Sequence, residues 1–479
     1  MQIRPVGIPS LDVLLGGGIP TRQTVIVTGD PGSGKTILCS QIAFTQAARG
    51  HNVVVATVAS ESHDKLIDEL SGFDFFDGDR IGREVYLVSA YPYLARGPRE
   101  ARELLLRTVR ERKADLLYLD GARSLRDMWN NESKLREFLY ELNIGLAQSG
   151  TTGLITTEYS VERLMTLPEA TTVDGIISLS SRRAAGRLLR RAEVVKLRGR
   201  PHITGEHVMH ITRTGIEIVP RLEELTMPDG DFMPSQGRVA FGMPELDRLL
   251  DGGLPERSTT LLAGSTGVGK SVAALHFCAT GAHAGEPALF VSYSEPAGRL
   301  VTRARGLSLD VRPLVDAGTL QIHYELSGRL EADDLVNDLL RRVDATGARR
   351  VVIDGIADIE ASADDPARVR RLLTALIVQL RVRGVTSLFI KEVQTLAGPE
   401  VDFSDTPISV TAENMIFMRH VELRGSMRRI LSVLKMRESS YDTRVHEFEI
   451  TDQGFVVRGP VERAEGLLTG QARVVDGGV

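Results

Sequence analysis

Residues 29–36 read Gly29-Asp30-Pro31-Gly32-Ser33-Gly34-Lys35-Thr36, an instance of G-x-x-x-x-G-K-[ST]. Apolar Val25, Ile26 and Val27 precede the stretch and predict a buried strand. Ile37 to Arg49 come next and predict a helix stopped by Gly50. Strand, glycine loop and helix in that order form the setting in which this motif cradles phosphate. Glycines let backbone N–H groups turn inward on phosphate oxygens, and the helix start adds partial positive charge. Gly32, Ser33, Gly34, Lys35, Thr36 and Ile37 are therefore the expected nucleotide contacts. Lys35 would neutralise β/γ oxygens, and the Thr36 hydroxyl would ligate Mg²⁺.

The loop occurs twice. Gly264-Ser265-Thr266-Gly267-Val268-Gly269-Lys270-Ser271 has the same form, and Lys270 lies 235 residues after Lys35. The leader GIPSLDVLLGGGIP, ending at Pro20, returns as GMPELDRLLDGGLP, ending at Pro255, at the same offset. One offset shared by leader and loop marks duplication of a whole domain. Thr266, Gly267, Val268, Gly269, Lys270, Ser271 and Val272 become the second set of nucleotide contacts, with Ser271 as the Mg²⁺ hydroxyl.

The copies stay in step. Val53–Val58 and Ala288–Tyr293 are apolar runs followed by Ser60-Glu61 and Ser294-Glu295. Leu116–Asp120 and Val351–Asp354 are apolar strands closed by an aspartate, 85 and 84 residues after the loop lysines. Asp120 and Asp354 fit the Mg²⁺-organising carboxylate of phosphate-loop enzymes. Glu61 and Glu295 could orient or deprotonate the attacking water; the blander reading is an acid complementing a helix start. Gly153–Glu158 and Ser387–Glu392 supply the next strand. Strand–helix alternation predicts a mostly parallel α/β sheet whose ligands gather at the carboxyl ends of the strands.

The last third of each copy loses this alternation. Ala192–Arg198, His207–Ile211 and Ile216–Val219 read as short strands that leave the main sheet, matched by Ile430–Arg437, Val445–Ile450 and Phe455–Val457. Lys196-Leu197-Arg198 and Lys435-Met436-Arg437 recur there. Residues two apart on a strand share a face, so each Lys–Arg pair points together while Leu197 or Met436 turns inward. Two cations on one edge suit a γ-phosphate, and their place in the chain predicts that they reach a neighbouring subunit's nucleotide. A solvated basic edge that blocks sheet-to-sheet pairing is the alternative.

Bulk properties fit this reading. The 479 residues carry a net charge of −5, with 42% hydrophobic and 25% charged residues, ordinary for globular domains. The charge balance speaks against a broad nucleic-acid face. The arginines at 182, 183, 187, 190 and 191 lack interleaved aromatics and read as a hairpin on a solvated or inter-subunit surface. The only two cysteines, Cys39 and Cys278, read as buried small hydrophobes in a reducing cytoplasm. No run approaches the ~18 apolar residues of a membrane span. The expected domains are 1–228 and 229–460, with a linker at Thr226–Asp231 and a short tail over 461–479.

The tandem leader L-D-x-L-L-x-G-G-[IL]-P, the loop, the aspartate strand and the K-[LM]-R strand together resemble the KaiC family of circadian-clock ATPases and autokinases, which are RecA-like. The likeness runs from Gly7 to about Val457. Lys196-Leu197-Arg198-Gly199, His202 and Gly205-Glu206 follow the family's first domain. Glu422, Arg424-Gly425, Arg429 and Lys435-Met436-Arg437 follow its second. The resemblance implies two stacked rings in a homohexamer with ATP at each subunit interface. It implies that Lys196, Arg198, His202, Arg429, Lys435 and Arg437 touch the adjacent subunit's nucleotide, with Arg198 and Arg437 acting catalytically alongside Lys35 and Lys270.

The chain departs from the family at two places. Where the family has two adjacent glutamates, this chain has Ser60-Glu61 and Ser294-Glu295. Where the family phosphorylates an adjacent Ser-Thr pair, this chain has Ser409-Val410, leaving Ser409 as the single acceptor. The implied function is an ATPase with possible serine autokinase activity in a signalling or timing module, with a KaiB-like protein as a candidate partner. A nucleic-acid motor on the same fold and a nucleotide-gated scaffold with little hydrolysis are the alternatives.

Overall fold

The computed structural model describes residues 2–58, 63–184, 186–225, 237–326, 328, 330–363, 365–393, 407–423, 425–437, 439–452, 454–462, 464–468 and 473–474. The chain falls into two compact units, Met1–Leu225 and Thr226–Val479. The expected linker and the 228/229 boundary lie outside the described residues.

Unit one contains β1 (Thr24–Thr28), β2 (Val53–Thr57), β3 (Val85–Ser89), β4 (Leu116–Asp120), β5 (Thr152–Thr157), β6 (Gly175–Ala184), β7 (Arg187–Leu197), β8 (His207–Thr212) and β9 (Gly215–Val219). They form one sheet in the order β3-β2-β4-β5-β1-β6-β7-β8-β9. Strands β3 through β6 in that order run parallel. The last three are antiparallel. Unit two contains β10 (Thr259–Gly264), β11 (Ala288–Ser292), β12 (Leu320–Tyr324), β13 (Arg350–Asp354), β14 (Thr386–Glu392), β15 (Asn414–Leu423), β16 (Ser426–Met436), β17 (His446–Thr451) and β18 (Gly454–Pro460). Their order, β12-β11-β13-β14-β10-β15-β16-β17-β18, is the same topology. Both units are RecA-like α/β folds, as expected.

The central strands read as continuous apolar runs because helices cover both faces of the sheet. Period-two alternation divides the cover. Val25 and Val27 pack with Leu38, Cys39 and Ile42 of α2 (Lys35–Ala48), and α1 is the leader helix Pro9–Leu14. Ile26 turns to the opposite layer with Phe138 and Leu142. Cys39 and Cys278 are both fully buried.

Contrary to expectation, the late strands do not leave the main sheet. β7–β9 and β16–β18 continue it as an antiparallel extension hydrogen-bonded to β6 and β15. Ala192, Val194 and Leu197 are buried, so β7 needs the sheet's cover as much as the parallel strands do. The arginine-rich stretch is the β6–β7 hairpin, with Ala184 opposite Arg187.

Candidate active site

Both glycine loops stand where β1 and β10 end and a helix begins. Gly29 and Gly264 pass so close to the next strand that a Cβ would collide with the Leu179 or Met418 carbonyl. Gly34 and Gly269, immediately before the helices, hold φ of 103° and 115°, a region glycine enters without strain. The helices after the loops, α2 and then α5 (Lys270–His283), start on the loop lysines; α3 (Pro168–Thr172) and α4 (Pro244–Leu249) lie between them in the chain.

The lysines fold back over their own loops. Lys35 Nζ donates to the Gly29 and Asp30 carbonyls, both at 2.9 Å. Lys270 Nζ donates to Gly264 at 2.8 Å and Ser265 at 2.7 Å. Burial pushes both amines below their ordinary value. Glu158, Asp120 and Asp30 oppose this at Lys35; Glu392 and Asp354 oppose it at Lys270. An anion binding at the loop would further stabilise the charged amine.

In unit two, Ser271 Oγ donates to Asp354 Oδ2 at 2.8 Å. A hydroxyl and a buried carboxylate thus meet at the mouth of the loop, the donor chemistry Mg²⁺ takes beside phosphate oxygens. Burial raises Asp354, while Ser271 and Lys270 favour its charged form. In unit one, Asp120 Oδ1 instead accepts from Thr156 Oγ1 at 2.5 Å, and Gly121 N–H donates to the same Thr156 oxygen. Tyr118 is fully buried behind Asp120 and Thr36. The place of Tyr118 is taken in unit two by Val352.

A cleft of about 580 Å³ opens over the second loop, lined by Thr266, Gly267, Gly269, Lys270, Ser271, Val272, Asp354 and Glu392 among others. Val268 instead belongs to the core. Ser33, its counterpart, is also buried, and its Oγ has no hydrogen-bond partner among the described residues. Gly32 lies in the turn of the first loop, and Thr36 and Ile37 lie in the first turn of α2.

Glu61 lies outside the described residues. Glu295 precedes α6 (Ala297–Arg305) and accepts from Arg303 Nη2 at 2.7 Å. Its carboxylate is thus engaged by a cation, and Arg303 rather than Glu295 lines the cleft.

The Lys–Arg pairs sit at the other edge of each sheet. Leu197 is opposite Gly175, which lies beside Val25. Met436 is opposite Asn414, which lies beside Thr260. Each pair therefore flanks the start of the strand whose end carries the loop, four residues or roughly 13 Å away along the strand. Lys196 Nζ donates to the Ala170 and Val173 carbonyls at 2.7 and 2.8 Å. Lys435 Nζ donates to Ala412 at 2.6 Å and Ser409 at 3.5 Å, on α7 (Pro407–Thr411) and just after it. Arg198 Nη2 donates to the Thr171 carbonyl at 2.7 Å, and Arg437 is exposed. Leu197 and Met436 are buried. His202 is half-buried in the loop between β7 and β8.

Arg429 stands apart from these. It pairs with His420 across β15–β16, and His420 Nδ1 lies 3.4 Å from Ser265 Oγ of the loop. Arg429 is therefore at the loop end of β16, six residues from Lys435. Ser409 shares an edge with Lys435, and Arg424 lies outside the described residues.

Sequence reasoning gave no role to Glu158, Glu392, Arg303 or Tyr118. The repeat contained one signal: Glu158 and Glu392 each close the strand beside the loop strand, 234 residues apart.

Among the described residues, no helix is long and apolar enough to cross a membrane. Comparison with known proteins identifies the family. The KaiC ATPase model matches residues 4–223 and 239–462. The chain is 28% identical to a circadian clock protein KaiC3 of Synechocystis sp., covering 97% of this chain and 93% of that protein. It is 25% identical to a circadian clock oscillator protein KaiC of Thermostichus vulcanus, over 97% and 91% of the two chains. It is 24% identical to the Synechococcus elongatus protein of that name, over 97% and 90%.

Proposed function

This chain belongs to the KaiC family of ATPases, and from that premise we propose that it works as a homohexamer binding ATP and Mg²⁺ between neighbouring protomers. One protomer supplies the glycine loop, the lysine and the metal-organising pair: Lys35, Thr36 and Asp120, or Lys270, Ser271 and Asp354. The next protomer supplies Arg198 or Arg437, with Lys196 or Lys435 beside it. The observation carrying this reading is that each Lys–Arg pair lies at the sheet edge away from its own loop. Cations there are poorly placed to serve a nucleotide of the same chain. Lys196 and Lys435 also hold carbonyls of their own edge; this supports a rigid platform beside the exposed Arg437 and beside Arg198, which would exchange its Thr171 contact for the neighbour's phosphate.

Bound Mg²⁺ would neutralise charge on the β- and γ-phosphates. The chain's own contribution is positional. The loop N–H groups and lysine fix the phosphates, and the neighbour's arginine meets the charge that grows on the transferring group. Ser409, on the same edge as Lys435, would face that transferring group too and is the proposed single autophosphorylation site. The clock names of the relatives support a signalling or timing role, with a KaiB-like protein as the partner class.

The test is complementation. Lys35→Ala subunits and Arg198→Ala subunits, both in a Lys270→Ala background, are assayed alone and mixed. Each alone should be nearly inactive. Verified mixed hexamers should regain roughly a quarter of parental turnover, because random mixing leaves about one interface in four with both intact partners. Mixed hexamers with no recovery would refute the shared site.

A further inference from the structure

We propose that Glu392 is the catalytic base of the second cleft, taking the proton from the water that attacks the γ-phosphorus. The inference rests on the ATPase reading above and assigns its proton acceptor. Glu392 is the last residue of β14, and its backbone is paired in register with Gly264, the first residue of the loop. Its side chain lines the same cleft as Lys270, Ser271 and Asp354. It is exposed, with no side-chain hydrogen bond or ion pair among the described residues.

Glu295, the acid that sequence position favours, is differently placed. Its carboxylate is held by Arg303 at 2.7 Å and is only 16% exposed. An arginine held at that distance occupies the lone pairs a base must offer. The station of Glu392 recurs in unit one. Glu158 immediately follows β5, whose Thr157 is paired with Thr28 just before the loop. The Arg303 position does not recur; the residue 234 positions earlier is Glu69.

The step balances without another reactant. As the water oxygen bonds to the γ-phosphorus, its proton passes to the Glu392 carboxylate. The bond from the γ-phosphorus to the bridging oxygen breaks, and its electron pair leaves on ADP. Glu392 then returns the proton to bulk water or product phosphate.

The experiment uses the full chain carrying Lys35→Ala, so that turnover reports the second cleft. Glu392→Gln should lower turnover by about 100-fold or more while ATP affinity stays within about threefold. Glu295→Gln should cost no more than about fivefold, and Glu392→Asp should restore part of the loss. A readout independent of turnover is retention of fluorescent ADP with Mg²⁺ and fluoroaluminate, which imitates the transferring phosphoryl group with its attacking water. Glu392→Gln should bind ADP like its parent yet lose about tenfold or more of the tightening that fluoroaluminate brings. If Glu392→Gln keeps both turnover and tightening, or Glu295→Gln loses both, the assignment is overturned. A parent with no turnover that Lys270→Ala removes would instead refute ATP hydrolysis in this cleft, and the base assignment with it.

Discussion

Asp354 shows how a site residue can oppose the fold that carries it. It is only 6% exposed, and burial raises its proton affinity despite the Ser271 hydroxyl and Lys270. A carboxyl whose folded-state pKa lies above its unfolded value favours the fold while protonated and weakens it once ionised. Its penalty is thus absent at low pH and grows as pH rises through the raised value. Asp354→Asn should therefore stabilise the second unit near neutral pH by about 0.5–2 kcal/mol while abolishing its hydrolysis. The gain should shrink on acidification, as the parental carboxyl takes up its proton. Paired melting curves at pH 8 and pH 4.5 measure this; an equal gain at both would mean that desolvation of the charge is not the cause. The loop lysine, the hydroxyl and the aspartate were legible because their spacing is a chemical requirement. Arg303 on Glu295 was not, because an ion pair from a helix back to an acid eight residues earlier, before that helix begins, depends on rotamers that spacing does not specify.

The repeated leader is explained at the scale of the element. In unit one, Asp12 accepts from the backbone N–H groups of Val6 and Gly7 at 2.6 and 3.0 Å. In unit two, Asp247 accepts from Phe241 and Gly242 at 2.7 and 3.0 Å. The aspartate closes the turn into α1 or α4, so its recurrence is structural and needs no substrate. Asp247→Ala removes the acceptor for two backbone donors and should destabilise unit two by about 1–3 kcal/mol, with Asp247→Asn recovering part. Denaturant midpoints at constant slope would register this, whereas an unchanged midpoint would show that water satisfies those donors equally well. The strands that sequence reasoning passed over also belong to this scale. β6 and β15 begin as apolar core strands and end as a polar hairpin, so no single alternation covers them. β3 and β12 are short sheet edges whose side chains beyond the first residue are partly buried or exposed. Their existence follows from the neighbour they pair with, which a local pattern does not contain.

At the scale of the molecule, the informative quantity is register. Sequence placed a Lys–Arg pair on a strand in each copy and proposed that it serves another chain, but it also expected that strand to leave the sheet. Register shows the strand inside the sheet, with the pair at the start of the loop-bearing strand and Arg429 at the far end. A residue's position along the chain does not reveal which end of a sheet it reaches, because that depends on pairing partners more than a hundred residues away. The proposed division of labour makes turnover a property of assembly. A dissociated protomer would keep its loops and lysines and bind nucleotide weakly, yet it would lack the arginine that meets the developing charge. Specific activity should therefore fall on dilution by about tenfold or more across the concentration range in which the hexamer dissociates. Arg198→Ala/Arg437→Ala should be slow at every concentration. Mass photometry and turnover on the same dilution series make the comparison direct. If dissociated protomers hydrolyse ATP as fast per chain as the hexamer, the arginines are not shared across an interface, and their position away from the loop must serve the sheet edge alone.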